Sequence, residues 1–268
     1  MNKDNVFRSS NFYMAKGDVL HMIIADETGA ESAVAIYNSS DDLPETEIAR
    51  DYDGNAYNMV RIGNIMISVE NFKGLHYNDG SSIPNLQTDV AFLADANGAK
   101  AGGYMVYNND GLQDIYGYLY SWYVIDNAAG IAPTGCRVAT KADIEYIQSY
   151  YGALAVNNAI RDTGTLYWEF PNDNANNLSG LSVLPTGVRN AQYTLGVWHD
   201  PTWEKRNGSM GGMGWVPQSG FFWLDEFDAD AANYVQVPHS QEYGYDDFIG
   251  ISQETKPVGM AIKFVKDV

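Results

Sequence analysis

Ala132-Pro133-Thr134-Gly135-Cys136-Arg137-Val138-Ala139-Thr140-Lys141-Ala142-Asp143-Ile144-Glu145-Tyr146-Ile147 is the stretch from which the rest of the chain is read. Pro133, Thr134 and Gly135 make a turn sequence. A short apolar segment follows, and then a helix begins. Thr140 is placed to cap that helix, its hydroxyl accepting the free N–H of Asp143. Asp143, three residues on, is placed to bond back, which is the capping-box arrangement. Ile144, Ile147 and Tyr151 supply the apolar stripe, and Gly152 ends the helix. Cys136, the only cysteine, sits where a small buried filler is expected.

On the N-terminal side, Tyr116, Leu119, Tyr120 and Tyr123 recur at i, i+3, i+4 and i+7, which predicts one face of another helix. Further back, Ala56–Ile62 and Ile65–Val69 read as strands joined by Gly63-Asn64, both residues tolerating positive φ. Asp51-Tyr52-Asp53-Gly54-Asn55 reads as the preceding turn. Val19–Ala25 and Ala33–Tyr37 are β-rich runs joined across Asp26-Glu27-Thr28-Gly29, and the polar stretch from Asn38 to Glu45 reads as a linker. Residues 1–49 are therefore a small β segment with little core of its own. Beyond residue 160 no long helical period appears. Gly, Asn, Asp and Pro interrupt short runs such as Leu181–Leu184, Phe221–Leu224 and Tyr234–Val237, and Met260–Val265 reads as one buried closing strand. The pattern predicts an α+β fold with two helices, short antiparallel strands and long loops.

The chain has 268 residues, 45% of them hydrophobic, so it can bury a real core. A formal net charge of −18 repels a phosphate backbone, which argues against nucleic-acid binding. One cysteine excludes an internal disulfide and a multi-thiolate metal site. Met1–Asn5 is followed by no apolar stretch of signal-peptide type, and Val19–Ala25 is far shorter than the roughly 20 residues that span a bilayer. Folding in a cytoplasm and no membrane span are the expectations.

The motifs occur in an order that resembles a known family. Asp51-x-Asp53-Gly54-Asn55-x-Tyr57-x-x-Val60-x-Ile62-Gly63 comes first, then Glu70-Asn71-Phe72 and Tyr77-x-Asp79-Gly80. Tyr107-Asn108-Asn109-Asp110 and Tyr116-Gly117-x-Leu119-Tyr120-x-Trp122-Tyr123 follow, then Pro133-x-Gly135-x-Arg137-Val138-x-Thr140. Thr163-Gly164-Thr165-x-x-Trp168, Asn177-x-Ser179-Gly180-Leu181, Leu184-Pro185-x-Gly187-x-Arg189 and Ile262–Asp267 complete the series. Residues 50–268 resemble the Fibrobacter succinogenes major paralogous domain. The resemblance implies a C-type-lectin-like fold and a ligand-display scaffold. It also implies cysteines at two positions that here are Ala132 and Phe264. Losing both together is what is expected when a disulfide is not needed or cannot form, and points to assembly in a reducing cytoplasm. Arg137–Asp143 is also similar to the helix start of formylglycine-generating domains, but their chemistry needs a pair of reactive cysteines and only Cys136 is present.

These readings give a non-enzymatic expectation. The four histidines, His21, His76, His199 and His239, are scattered, and no carboxylate pair is singled out by spacing. Asp225, Asp228 and Asp230 are the candidates for a calcium ion, set against a plain solvated acidic loop; no other cofactor is implied. Trp198, Trp203 and Trp215 flank a Gly-rich stretch, and Tyr234, Tyr243 and Tyr245 lie among polar residues. Exposed Tyr and Trp offer large contact area at low entropic cost, so these six are the candidate ligand-binding residues, the alternative being loop-to-core packing. The expected setting is a phage virion, as a head or tail fibre or decoration protein. Residues 1–49 would attach to other virion proteins, a homotrimer would form, and residues 50–268 would meet a cell-surface glycan or protein receptor. A bacterial surface adhesin, a purely structural virion protein and a carbohydrate-active hydrolase are the alternatives.

Overall fold

The computed structural model describes residues 20–25, 31–37, 46–106, 112–170, 172, 174–189, 213–214, 219–239 and 249–268. The chain divides into two units, Met1–Pro44 and Glu45–Val268. In the first, β1 (Leu20–Ala25) and β2 (Glu31–Tyr37) form an antiparallel hairpin, with Leu20 opposite Tyr37 and Ile23 opposite Val34.

The second unit opens with an antiparallel meander of β3 (Thr46–Arg50), β4 (Ala56–Ile62) and β5 (Ile65–Ser68). Residues 45–49, which the sequence reading groups with the first segment, thus lie in this unit. The turn after β3 is fixed by Asp51, whose Oδ1 accepts the Asn55 N–H at 2.9 Å. The β4–β5 connection is Gly63-Asn64, with Gly63 at φ +59°. Both turns match the sequence expectation. α1 (Asp89–Ala94) is capped by the Thr88 hydroxyl and runs into a wider turn of π type, Asp95–Ala99. β6 (Tyr104–Met105) follows, then α2 (Leu112–Tyr116) and β7 (Leu119–Tyr120), which pairs with β6.

The helix expected on Tyr116, Leu119, Tyr120 and Tyr123 does not form. Gly117 stops it at φ +74°, with its α-carbon so close to the next layer that a Cβ would stand 2.7 Å from the Phe72 carbonyl. The four apolar residues divide between the end of α2, the strand β7 and a 3₁₀ turn over Trp122–Val124. Tertiary packing overrides the local period here.

β8 (Arg137–Val138) leads into α3 (Lys141–Tyr151), where the capping box is present in both directions. The Asp143 carboxylate accepts the Thr140 N–H at 2.7 Å and also binds Arg137, at 2.5 and 2.8 Å. Burial pulls the Asp143 carboxyl up, but the bonds from Arg137 and Thr140 outweigh it and hold the group below its ordinary value. Gly152 closes α3 at φ +85°. Next come α4 (Val156–Ile160), β9 (Val188–Arg189), β10 (Met213–Gly214), β11 (Ser219–Phe227), β12 (Ala231–Pro238), β13 (Gly250–Thr255), β14 (Ala261–Ile262) and β15 (Phe264–Asp267).

Two sheets carry this unit. One has the order β3-β4-β5-β15-β8, and the other β13-β12-β11-β14, with β14 parallel to β11. The architecture is α+β, with α3 the longest helix among the described residues. The expected single strand Met260–Val265 is two strands. The chain leaves one sheet at Ile262 and joins the other at Phe264, with Lys263 between them. Inside the sheets, β5 and Ser219–Leu224 of β11 are buried on both faces and nearly all apolar, as in buried sheets, whereas the edge strands β3 and β13 are largely exposed. In β11, Phe222 and Leu224 enter one core with Ile144, Ile147 and Val60, while Phe221 and Trp223 enter another with Tyr57, Phe72 and Phe264. Phe264 is fully buried, edge-on to Tyr57 at 5.6 Å and to Phe72 at 5.4 Å, and Ala132 packs on the same cluster. Cys136 packs there too, but only half-buried, which corrects the expectation of a buried filler; β8 is the edge strand of its sheet and leaves the preceding turn open on one side.

Candidate functional site

The second sheet gathers its longest connections at one end. β11 begins where β12 ends, Ser219 pairing with Pro238. β12 pairs with β13 as far as Gln236 opposite Gly250, so the segment between Pro238 and Gly250 starts and finishes beside this pair. β9 pairs with β10 through Val188–Gly214 and Arg189–Met213, which clamps the two ends of residues 190–212 together. Gly187 N–H donates to Ser219 O at 3.0 Å, and Thr186 bonds Phe221 through both its hydroxyl lone pair and its proton. Arg189 exchanges backbone bonds with Gly259, two residues before β14. Gly220 is required at this end, because a Cβ on it would stand 2.6 Å from the Leu184 carbonyl. Both long segments are therefore rooted on the same end of one sheet.

Beneath the roots lies a buried polar floor contributed by α4 and the chain after it. Arg161 is 0% exposed, and its guanidinium donates to Pro238 O at 3.4 Å and to Asn158 Oδ1 at 3.0 Å. Asn157 donates to the same carbonyl at 3.3 Å. The Arg161 guanidinium lies 5.5 Å from the Trp168 ring centre, and Trp168 is stacked on His239 at 6.3 Å. His239 Nε2 is bonded to the Glu169 carbonyl. Burial pushes the Asp162 carboxyl up. The end of β12 is thus gripped from α4 by a planar, charged fork, which suits holding a carbonyl in a fixed direction. Leu166 and Phe170, on the same loop as Trp168, are 80% and 74% exposed. The arrangement holds and orients backbone; it brings no nucleophile to a base.

Of the sequence-predicted binding residues, Trp198, Trp203, Trp215, Tyr243 and Tyr245 lie outside the described residues. The anchors place residues 190–212 and 240–248, which carry four of them, in the two segments just defined. Tyr234 is not in a loop. It sits within β12 opposite Trp223, half-buried against Phe221 and Trp223. Asp225 is on β11, while Asp228 and Asp230 form the β11–β12 turn, where Asp228 Oδ1 accepts the Ala231 N–H at 3.1 Å. Among the described residues no group of three or more His, Cys, Asp or Glu stands where it could hold a metal ion. The Asp51–Asn55 stretch is a turn: Asp51 binds the Tyr57 hydroxyl at 2.6 Å, and Asp53 takes the Leu75 N–H and faces His76 Nδ1, both at 2.6 Å. Arg161 and Asn157 escaped the sequence reading, and His239 entered it only as one of four scattered histidines. Trp168 alone had a signal, as part of a family motif.

Among the described residues no helix is long and apolar enough to cross a membrane. A family model of the Fibrobacter succinogenes major domain matches residues 60–266. Neither a curated protein nor a solved structure matches the chain.

Proposed function

This chain belongs to the Fibrobacter succinogenes major domain family, and on that premise we propose that it is a non-enzymatic binding and display protein with a C-type-lectin-like domain. The observation that carries the reading is the shared root of two long segments on one end of a sheet whose central strand, β11, is buried on both faces over Ser219–Leu224. A rigid base under chemically rich loops is how scaffolds present a binding surface. The loop residues proposed to touch ligand are Trp198, Trp203, Tyr243 and Tyr245, with Trp215 beside them. The ligand class is a cell-surface glycan, whose rings stack on exposed aromatics. The setting we propose is a phage particle, with the first unit as attachment segment and a homotrimer as the assembly, by analogy with virion fibres.

A glycan array probed with the full chain tests this. Any hit should weaken by at least about tenfold in Trp203→Ala combined with Tyr243→Ala, the usual effect of removing aromatic anchors. Binding that survives both substitutions sinks the loop surface. An array without hits, from a chain that assembles, favours a structural component over a receptor-binding one.

A further inference from the structure

Asp53 ties two surface loops together. Its Oδ2 accepts the Leu75 N–H at 2.6 Å and the His76 N–H at 3.2 Å, and its Oδ1 meets His76 Nδ1 at 2.6 Å. A carboxylate only accepts, so Nδ1 carries the proton and Nε2 of the neutral ring is left as an acceptor. His76 opens a tight hairpin, in which Tyr77 N–H donates to Ser81 O at 2.8 Å, Gly80 N–H to Tyr77 O at 2.9 Å and Ile83 N–H to Leu75 O at 2.8 Å. His76 and Ser82 are therefore opposite each other without mutual backbone bonds, which is the closer kind of antiparallel pair, and their side chains leave on one side. At the tip, Asp79 Oδ1 accepts the N–H of Ser81 at 2.9 Å and its hydroxyl at 2.5 Å. Tyr52, next to Asp53 in the chain, meets this hairpin. Its ring centre is 6.1 Å from that of His76, and a Cβ on Gly80 would stand 2.6 Å from its hydroxyl.

Each of these side chains is held at one point and spare at another. Among the described residues, the Tyr52 hydroxyl, His76 Nε2, Asp79 Oδ2 and the Ser82 hydroxyl make no hydrogen bond. Tyr52 is 57% exposed, and Asp79 and Ser82 are exposed as well. The fold thus fixes an open aromatic ring beside two acceptors and a hydroxyl that can give or take a proton. A pyranose is the complement of such a set: its C–H face suits the ring, and the hydroxyls on its rim donate to the acceptors. The hairpin and the turn carrying Tyr52 are already bonded to each other, so little ordering remains to be done on binding. The exposed Asp79 carboxylate and a net charge of −18 disfavour an acidic sugar.

We propose that Tyr52, with His76, Asp79 and Ser82 around it, is a binding site for a neutral pyranose. None of these residues belongs to the loop surface proposed above, and the site stands whether or not that surface binds. One ring and three polar groups on an open surface make a weak site, with a dissociation constant of roughly 1–10 mM.

Ligand-observed NMR titration of the full chain tests it, with the methyl glycosides of glucose, galactose and mannose and with glucuronate as the acidic control. A neutral glycoside should bind in that range, and glucuronate at least about fivefold more weakly. Tyr52→Ala should weaken binding by about tenfold or more. It should melt within about 2 °C of wild type, because the side chain it removes is exposed. Tyr52→Phe, which keeps the ring, should retain the affinity, and His76→Ala should lower it about threefold. Trp203→Ala with Tyr243→Ala should leave it unchanged. Binding by none of the neutral glycosides overturns the site, as does equal binding in Tyr52→Ala or glucuronate bound as well as they are. A loss confined to the Trp203/Tyr243 pair also overturns it and assigns the sugar to the loops, so the two surfaces fail separately.

Discussion

Lys263 occupies the one-residue gap between β14 and β15 and is 1% exposed. Its Nζ donates to Ser68 O at 3.1 Å and to Val69 O at 2.8 Å. Two acceptors match the two protons of a neutral amine and leave the third proton of an ammonium without a partner. Burial lowers the group to about 7, with the Glu70 charge pulling the other way. The folded value lies below the unfolded one, so the unfolded chain binds more protons between the two. Stability therefore rises as pH is raised from about 7 toward 10. In urea titrations at pH 7 and pH 9.5, wild type should gain up to about 3 kcal/mol and Lys263→Met should show little of that slope. A slope unchanged in Lys263→Met removes this residue as its source. The buried tyrosines, held above their usual range, do not interfere below pH 10.

At the scale of elements, Gly117 decides whether residues 112–123 form one helix or three shorter pieces. Gly117→Ala puts a methyl group against the Phe72 carbonyl and strains a φ of +74°. It should lower unfolding free energy by roughly 1–3 kcal/mol, read by chemical denaturation. A neutral effect would mean that the turn gives way easily. Elements set by neighbouring residues were legible beforehand. Thr140 and Asp143 bond to each other, and Gly63-Asn64 needs only its own φ freedom, so sequence alone placed α3 and the first hairpin of the second unit. Elements set by distant contacts were not. The period through Tyr116 and Tyr123 comes from residues of different elements with different fates: Tyr116 and Leu119 bury in one cluster, Tyr120 in another, and Tyr123 stays half-buried. The break at Lys263 has apolar residues on both sides and leaves no trace in composition. The site divides in the same way. The aromatic residues proposed to bind stand out as composition, while Arg161, Trp168 and His239 meet only because the chain after α4 and the end of β12 are brought together.

On the scale of the molecule, the division at Pro44–Glu45 leaves the two sheets and their cores wholly in the second unit. A chain of residues 45–268 should melt within about 2 °C of the full chain, because no strand of either sheet is removed. Under the proposed attachment role it should also lose self-association, measured by light scattering on both chains at equal concentration. A fragment that fails to fold places essential packing in residues 1–44, and a fragment that still assembles moves the contact to the larger unit.

β15 lies inside its sheet, between β5 and β8, and the strand before it is the edge of the other sheet. During synthesis the first sheet cannot close until β15 has cleared the ribosome, whereas the second lacks only its edge strand before β14 is made. The meander at the start of the unit must wait, unpaired on one side, for a partner made nearly two hundred residues later (Ile67 meets Val265). A chain stopped before Phe264 presents an open edge of the kind that aggregates or is degraded. The late strand makes closure of this sheet a check that translation has passed Phe264.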